Sequence, residues 1–201
     1  AMGITAVAVC LLNAYANDQH ERQIGEWLAE NYPHFMVSIS TTLSPEIREY
    51  ERTSTTVLNA SLTPIVSNYM HKLQGRMQRA GVDASVLILQ SNGGASLPEH
   101  AALEPARLLL SGPCGGTIAA ERVSSLLGEP NLLAVDMGGT SFDISIIQDG
   151  RTTRVAEGEV DGCPVRLPMA EISTIGAGGG SIAWIDEAGR LRVGPQSAGS
   201  A

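Results

Sequence analysis

Leu132-Leu133-Ala134-Val135-Asp136-Met137-Gly138-Gly139-Thr140-Ser141-Phe142-Asp143-Ile144-Ser145-Ile146-Ile147 is two apolar runs joined by a polar turn with paired glycines. Leu132 to Val135 is short and apolar, and Phe142 to Ile147 alternates apolar and polar residues, so both flanks read as strands of a β-hairpin. Gly138 and Gly139 have no Cβ and can reach positive φ, which lets backbone N–H groups converge beside the hydroxyls of Thr140 and Ser141. Such a nest suits a phosphate. Asp136, ending the first strand, and Asp143, on the second, match the one or two carboxylates that a hydrated Mg²⁺ prefers. The plainer alternative is a Gly-Gly hairpin with surface aspartates, and the turn alone does not separate the two.

Downstream, Asp149-Gly150 signals a tight turn, and Arg151 to Val160 is expected to return as a third antiparallel strand. A second glycine cluster follows in Ile175-Gly176-Ala177-Gly178-Gly179-Gly180-Ser181-Ile182-Ala183. Ser181 to Ile185 reads as a strand that turns at Glu187-Ala188-Gly189 into another. A dinucleotide fingerprint needs a helix there, so that reading fails.

Upstream, Thr5 to Leu12 is expected to be a buried strand, a helix follows from Asn17 with Ile24, Trp27 and Leu28 at helical spacing until Pro33, and Phe35 to Ile39 is the next strand. This is a right-handed βαβ unit. Ser44-Pro45-Glu46 has the composition of a helix start, with Ser44 as N-cap. A long helix then runs to Gly81, kinked or split at Pro64, with Val57, Leu58, Leu62, Ile65, Val66, Tyr69, Leu73 and Met77 as its buried stripe and its charges solvated. Ser85 to Leu89 reads as a further buried strand. Gln90-Ser91-Asn92-Gly93-Gly94 after it is either an ordinary Asn-Gly turn or, because open α/β sheets bind ligands at strand ends, a place where Asn92 and Gly93 line a substrate cleft. Leu110-Ser111-Gly112-Pro113-Cys114-Gly115-Gly116-Thr117 precedes a helix through Gly128 whose first N–H groups could bind an anion, with Cys114 a small packing residue.

The 201 residues carry a formal charge of −8, and their 13 Lys and Arg form no cluster, which argues against nucleic acid as a partner. Three cysteines without CxxC spacing support neither a disulfide framework nor a zinc site, and a reducing cytoplasm is the simplest setting. The four histidines are dispersed. Ile4 to Leu12 is too short to span a bilayer and lacks a basic leader, so no membrane role is expected. Ala1-Met2 has the composition of a cloning remnant.

Asp-Met-Gly-Gly-Thr-Ser-Phe-Asp-Ile at 136–144, Arg-Glu-Tyr-Glu-Arg-Thr-Ser-Thr-Thr-Val-Leu-Asn-Ala at 48–60 and the 175–183 run together resemble the ATP-dependent hydantoinase and 5-oxoprolinase family, hydantoinase A subunit type. The likeness covers nearly the whole chain. It differs from the usual family form by Phe142 in place of Thr, Cys114 in place of Ala, and Glu171-Ile172-Ser173 in place of Asp-Ile-His. The resemblance implies an α/β chain with part of the ribonuclease H-like fold of the acetate kinase, sugar kinase, Hsp70 and actin superfamily. Family members begin with another Asp-x-Gly-Gly-Thr hairpin and continue past residue 199. The resemblance therefore makes 1–110 the closing part of one lobe and 111–201 the opening part of a second, a piece inactive by itself.

The implied chemistry is ATP-dependent ring opening of a cyclic amide such as hydantoin or 5-oxoproline, by phosphorylation of its carbonyl oxygen. Asp136 and Asp143 would be catalytic, with Asp136 the Mg²⁺ ligand. Gly138, Gly139, Thr140 and Ser141 would hold phosphates, and Gly176, Gly178, Gly179, Gly180 and Ser181 would border the nucleotide. The expected partner is a second hydantoinase subunit of the B type. Two alternatives are a subunit of an ATP-dependent ketone carboxylase and a non-catalytic nucleotide-binding or assembly module.

Overall fold

The structure, a computed structural model, describes residues 3–199. Ala1-Met2 lies outside them. The chain forms two compact units, one of the residues up to Ser111 together with Val155–Met169, the other of Gly112–Arg154 and the residues from Ala170 onward. Both mix helices and strands.

The first unit starts with the βαβ element that the sequence implies: Ala6–Val9 pairs in parallel with Met36–Ile39, and the helix Gln19–Asn31 connects them. The face of that helix is not the expected one. Ile24 and Trp27 are 37% and 53% exposed, while Glu21 and Gly25 are buried. Gly25 lets the helix approach the second strand, since a Cβ there would lie 2.5 Å from Ile39 Cδ1. The Glu21 carboxylate accepts hydrogen bonds from the Leu11 and Thr41 N–H groups and from the Ser40 and Thr41 hydroxyls. A buried carboxylate is tolerated because every approach to it is a donor.

Ser44 does not cap a helix start. It ends the short turn of helix Ser40–Leu43, and the long helix begins only at Glu49, behind Arg48 in left-handed backbone with φ 75°. Pro45 disfavours helical backbone at Ser44, and the Arg52 guanidinium, donating to the carbonyls of Glu46 and Leu11, holds the intervening loop open. Glu49–Arg79 is one helix, with Pro64 inside it. Its buried face is the second correction: Val57, Ile65 and Tyr69 are more than half exposed, whereas Arg52, Thr55, Thr56, Asn59, Ala60 and Thr63 are buried. These recur at three- and four-residue steps and are mostly polar. Asn59 donates to Ser38 Oγ and the Leu103 carbonyl and accepts from the Ala106 N–H; Thr55 Oγ1 accepts from the Arg166 N–H. The charged end of the helix is thus not a wholly solvated face, since Arg52 is fully buried.

Ser85 to Leu89 is not a buried strand. Only Ile88–Leu89 is extended, antiparallel to Ala95–Ser96, and Leu87 is 62% exposed. Apolar packing collects instead around Leu43, Ala106, Val165, Leu167 and Met169, against Leu58 and Val160. Part of that cluster comes from the hairpin of Gly158–Val160 and Cys163–Val165, which turns at Asp161-Gly162 with positive φ at both positions.

In the second unit the helix Ser111–Leu127 begins within the glycine run expected to precede it, so Gly115, Gly116 and Thr117 are inside it and their N–H groups do not form its open end. Pro113 is tolerated in the first turn, where no intrahelical donor is needed. Cys114 is buried. The hairpin is as read: Leu132–Met137 pairs antiparallel with Phe142–Gln148. Arg151–Thr152 continues the sheet after the Asp149-Gly150 turn, but the ladder stops there. The remainder of the expected third strand is displaced, because Phe142–Ile144 already pairs with Ser173–Ile175 along that edge. Ser181–Ile185 and Leu191–Ser197 form the final hairpin, as the turn at Gly189 implies. Among the described residues no helix is long and apolar enough to cross a membrane.

Candidate functional site

The register of the central hairpin sets the site. Asp136 lies directly opposite Asp143, Ala134 opposite Ser145 and Leu132 opposite Ile147, so the two carboxylates share the face whose lower part, Ser145 and Ile147, is buried. Thr117 on the preceding helix donates to Ser145 Oγ at 2.9 Å. Between helix and hairpin is a cavity of about 50 Å³ lined by Thr117, Ala134, Asp136, Asp143, Ser145 and Ile172, room for one or two water-sized groups. Like charges opposed across a ladder destabilise it, and among the described residues neither aspartate has an ion-pair partner. Paired carboxylates, neighbouring hydroxyls and space for water fit Mg²⁺ chemically. Among the described residues no group of three or more His, Cys, Asp or Glu side chains could hold a metal, so no all-protein cage is present.

Gly138-Gly139-Thr140-Ser141 closes the hairpin through the Gly138 N–H donating to the Ser141 carbonyl at 3.0 Å. Neither glycine has positive φ, which corrects the expected route to a nest. What the tip does present is three successive N–H groups, of Gly139, Thr140 and Ser141, that donate to no acceptor among the described residues. Open amides beside two hydroxyls are donors of the kind that an anion accepts.

The second glycine cluster is brought against this tip from forty residues downstream. Gly179 and Gly180 donate their N–H groups to the carbonyls of Gly138 and Gly139, each at 2.9 Å. Gly178 is buried, and a Cβ there would stand 2.6 Å from Gly138 O, Gly139 C and Thr140 N. Ser181 Oγ accepts from the Gly178 N–H. The amides of Gly178, Gly179 and Gly180 are therefore engaged within the protein. Gly176 stands at the head of this loop, where an added Cβ would meet nothing within 4 Å. The cluster buttresses the tip, and the carbonyls it binds orient the tip's free amides.

Asn92 and Gly93 occupy the turn of the small hairpin in the first unit. Gly93 has φ 82°, and Asn92 Oδ1 accepts from the Gly94 N–H at 2.8 Å. Sequence reading missed Thr174. Its hydroxyl donates to Asp143 Oδ1 at 2.5 Å from the neighbouring strand, a pairing fixed by inter-strand register and invisible to local pattern.

The hydantoinase/oxoprolinase family model matches residues 52–201. The chain belongs to that family. It is 36% identical over 197 residues to caprolactamase subunit alpha of Pseudomonas jessenii, covering 98% of this chain and 28% of the relative. The crystal structure of the ATP-dependent caprolactamase from that organism superposes with TM-score 0.82 at 35% identity, again over 98% and 28% of the two chains. The 5-oxoprolinase of Saccharomyces cerevisiae is 36% identical over 203 residues, 98% of this chain and 15% of its own. The nucleotide-free structure of acetone carboxylase, from work on ATP-dependent acetone carboxylation, gives TM-score 0.77 at 28% identity, over 96% and 28%. The chain thus spans less than a third of the length of each of these hydantoinase/oxoprolinase relatives.

Proposed function

We propose that this chain carries the phosphate-holding part of an ATP-dependent enzyme that opens a cyclic amide. The observation that supports the reading best is the hairpin tip, where three open N–H groups and two hydroxyls stand beside the Asp136–Asp143 pair and are braced by Gly178 to Gly180. A lactam carbon is a poor electrophile, and bound ATP would supply the phosphoryl group that turns the lactam oxygen into part of a leaving group. Phosphoryl transfer depends on positioning and charge stabilisation more than on covalent help from the protein. The Gly139, Thr140 and Ser141 amides hold phosphate oxygens. Asp136, with Asp143 opposite, is the ligand set for Mg²⁺, which would neutralise phosphate charge. Glycine at 178 and 180 keeps side chains out of the contact that aims these amides.

Residues 1–110 and 111–201 are, in this reading, parts of the two lobes of the acetate kinase, sugar kinase, Hsp70 and actin superfamily fold, and a B-type subunit completes the enzyme. A relative named as subunit alpha supports a companion chain. The test is Asp136→Asn in the full-length protein with its companion, followed by ADP release with caprolactam, 5-oxoproline and hydantoin. Loss of one charge-stabilising group predicts about a 100-fold or larger fall in turnover. Wild-type turnover in this variant would remove Asp136 from the mechanism. The likeness to acetone carboxylase supports a second reading, ATP-dependent carboxylation of a ketone. ADP release driven by a ketone with bicarbonate, and by no lactam, would establish it in place of the first.

A further inference from the structure

The two aspartates of the hairpin are not equivalent. Asp143 is partly buried and accepts the Thr174 hydroxyl at 2.5 Å, with Thr174 directly opposite it on the third strand. Asp136 is exposed at the other side of the same ladder and its carboxylate accepts no hydrogen bond among the described residues. One carboxylate is thus fixed by a neighbouring strand, and the other is free to meet what enters the cavity.

We infer that Thr174 is a positioning residue: by donating to Asp143 Oδ1 it fixes that carboxylate and thereby divides the pair into an anchored acceptor, Asp143, and an open cation ligand, Asp136. The inference deepens the proposed function and rests on it for the identity of the cation. The physical case has three parts. A charge-assisted O–H···O⁻ bond is short and directional, so it selects one rotamer of Asp143. Thr174 and Asp136 flank Asp143 from opposite strands and opposed carboxylates repel, so without that bond the Asp143 carboxylate has no partner to fix its position beside the cavity. Magnesium tolerates little departure from octahedral geometry, so a displaced second carboxylate weakens binding even when both aspartates remain. Thr174 touches neither phosphate nor substrate in this scheme and acts through Asp143 alone.

Thr174→Val keeps the β-branched shape that suits a strand and removes only the donor, while Thr174→Ser keeps the donor. In the full-length protein, Mn²⁺ binding without nucleotide, followed by electron paramagnetic resonance, should weaken about tenfold in T174V, at the low end for a bond to a charged group because Thr174 is solvent-exposed. T174S should bind as wild type does. In lactam-driven ADP release, kcat should fall in T174V with KM for the lactam unchanged. Mn²⁺ binding in T174V equal to wild type, or a T174S variant as weak as T174V, would overturn the inference. The two readings fail separately: wild-type protein that binds no Mn²⁺ and turns over no lactam defeats the proposed function, whereas wild-type protein that binds Mn²⁺ beside an unaffected T174V defeats only the role of Thr174.

Discussion

Replacing Gly178 by alanine tests the contact on which the site depends. The added Cβ would stand 2.6 Å from three backbone atoms of the hairpin tip, against ordinary contact from 3.4 Å, so loop or tip must retreat by about 0.8 Å. None of those atoms ends a flexible side chain that could swing aside. A retreat of that size takes the Gly179 N–H to Gly138 O and Gly180 N–H to Gly139 O bonds from 2.9 Å to beyond useful length. Two such bonds contribute together about 2 kcal/mol. Gly178 does not have positive φ, so no backbone strain is added. Gly176→Ala is the matched control, because its Cβ meets nothing within 4 Å and its φ is likewise not positive. Hydrogen exchange resolved to residues 176–182 of the full-length protein reads the contact locally, and about 2 kcal/mol corresponds to roughly 30-fold faster exchange at Gly179 and Gly180. Exchange in G178A no faster than in G176A would refute the buttress and, with it, the account of how the tip amides are aimed.

Arg52→Ala strips donors from Ser40 and from the Leu11 and Glu46 carbonyls and leaves Glu21 buried without the cation of its network; a loss of about 3 kcal/mol is expected, read as a lower urea midpoint, and an unchanged midpoint would contradict it. The N–H of Arg190, helped by the Arg192 and Arg190 guanidinium groups, holds the Asp186 carboxyl below the usual aspartate range. A carboxylate with a depressed folded pKa stabilises above its unfolded pKa, and that contribution is lost as pH falls through the folded value. Trp184, in the same hairpin, should therefore report loosening by fluorescence only at pH below the ordinary aspartate titration, and Asp186→Asn should abolish that acid transition.

What was legible in the sequence was local. Period-two alternation, the Asp149-Gly150 and Glu187-Ala188-Gly189 turns and the strand–helix–strand order at the N-terminus are written in neighbouring residues, and the strands and turns follow them. The limit shows at Gly178, whose contact partner is forty residues upstream and whose need for glycine is set by another loop's backbone. It shows equally in the long helix. Val57, Ile65 and Tyr69 drew attention as hydrophobic, yet Arg52, Thr55, Thr56, Asn59 and Thr63 have the same helical spacing and make up the buried side. A stripe of small polar residues at that period was the available signal. Glu21 follows the same rule: its partners Ser40 and Thr41 come from another segment, so nothing in its neighbouring residues marks it as buried.

The polar inner side of the long helix has a further consequence. Apolar contacts tolerate sliding, since one methyl group replaces another at little loss, but Asn59 meets Ser38, Leu103 and Ala106 at once and Thr55 meets Arg166. Shifting the helix by one residue moves it 1.5 Å and turns it about 100°, and every one of those pairings would break together. The helix therefore has a single seating, specified like a keyed shaft, and a collapsed chain that has buried its apolar residues is not yet native until that key engages.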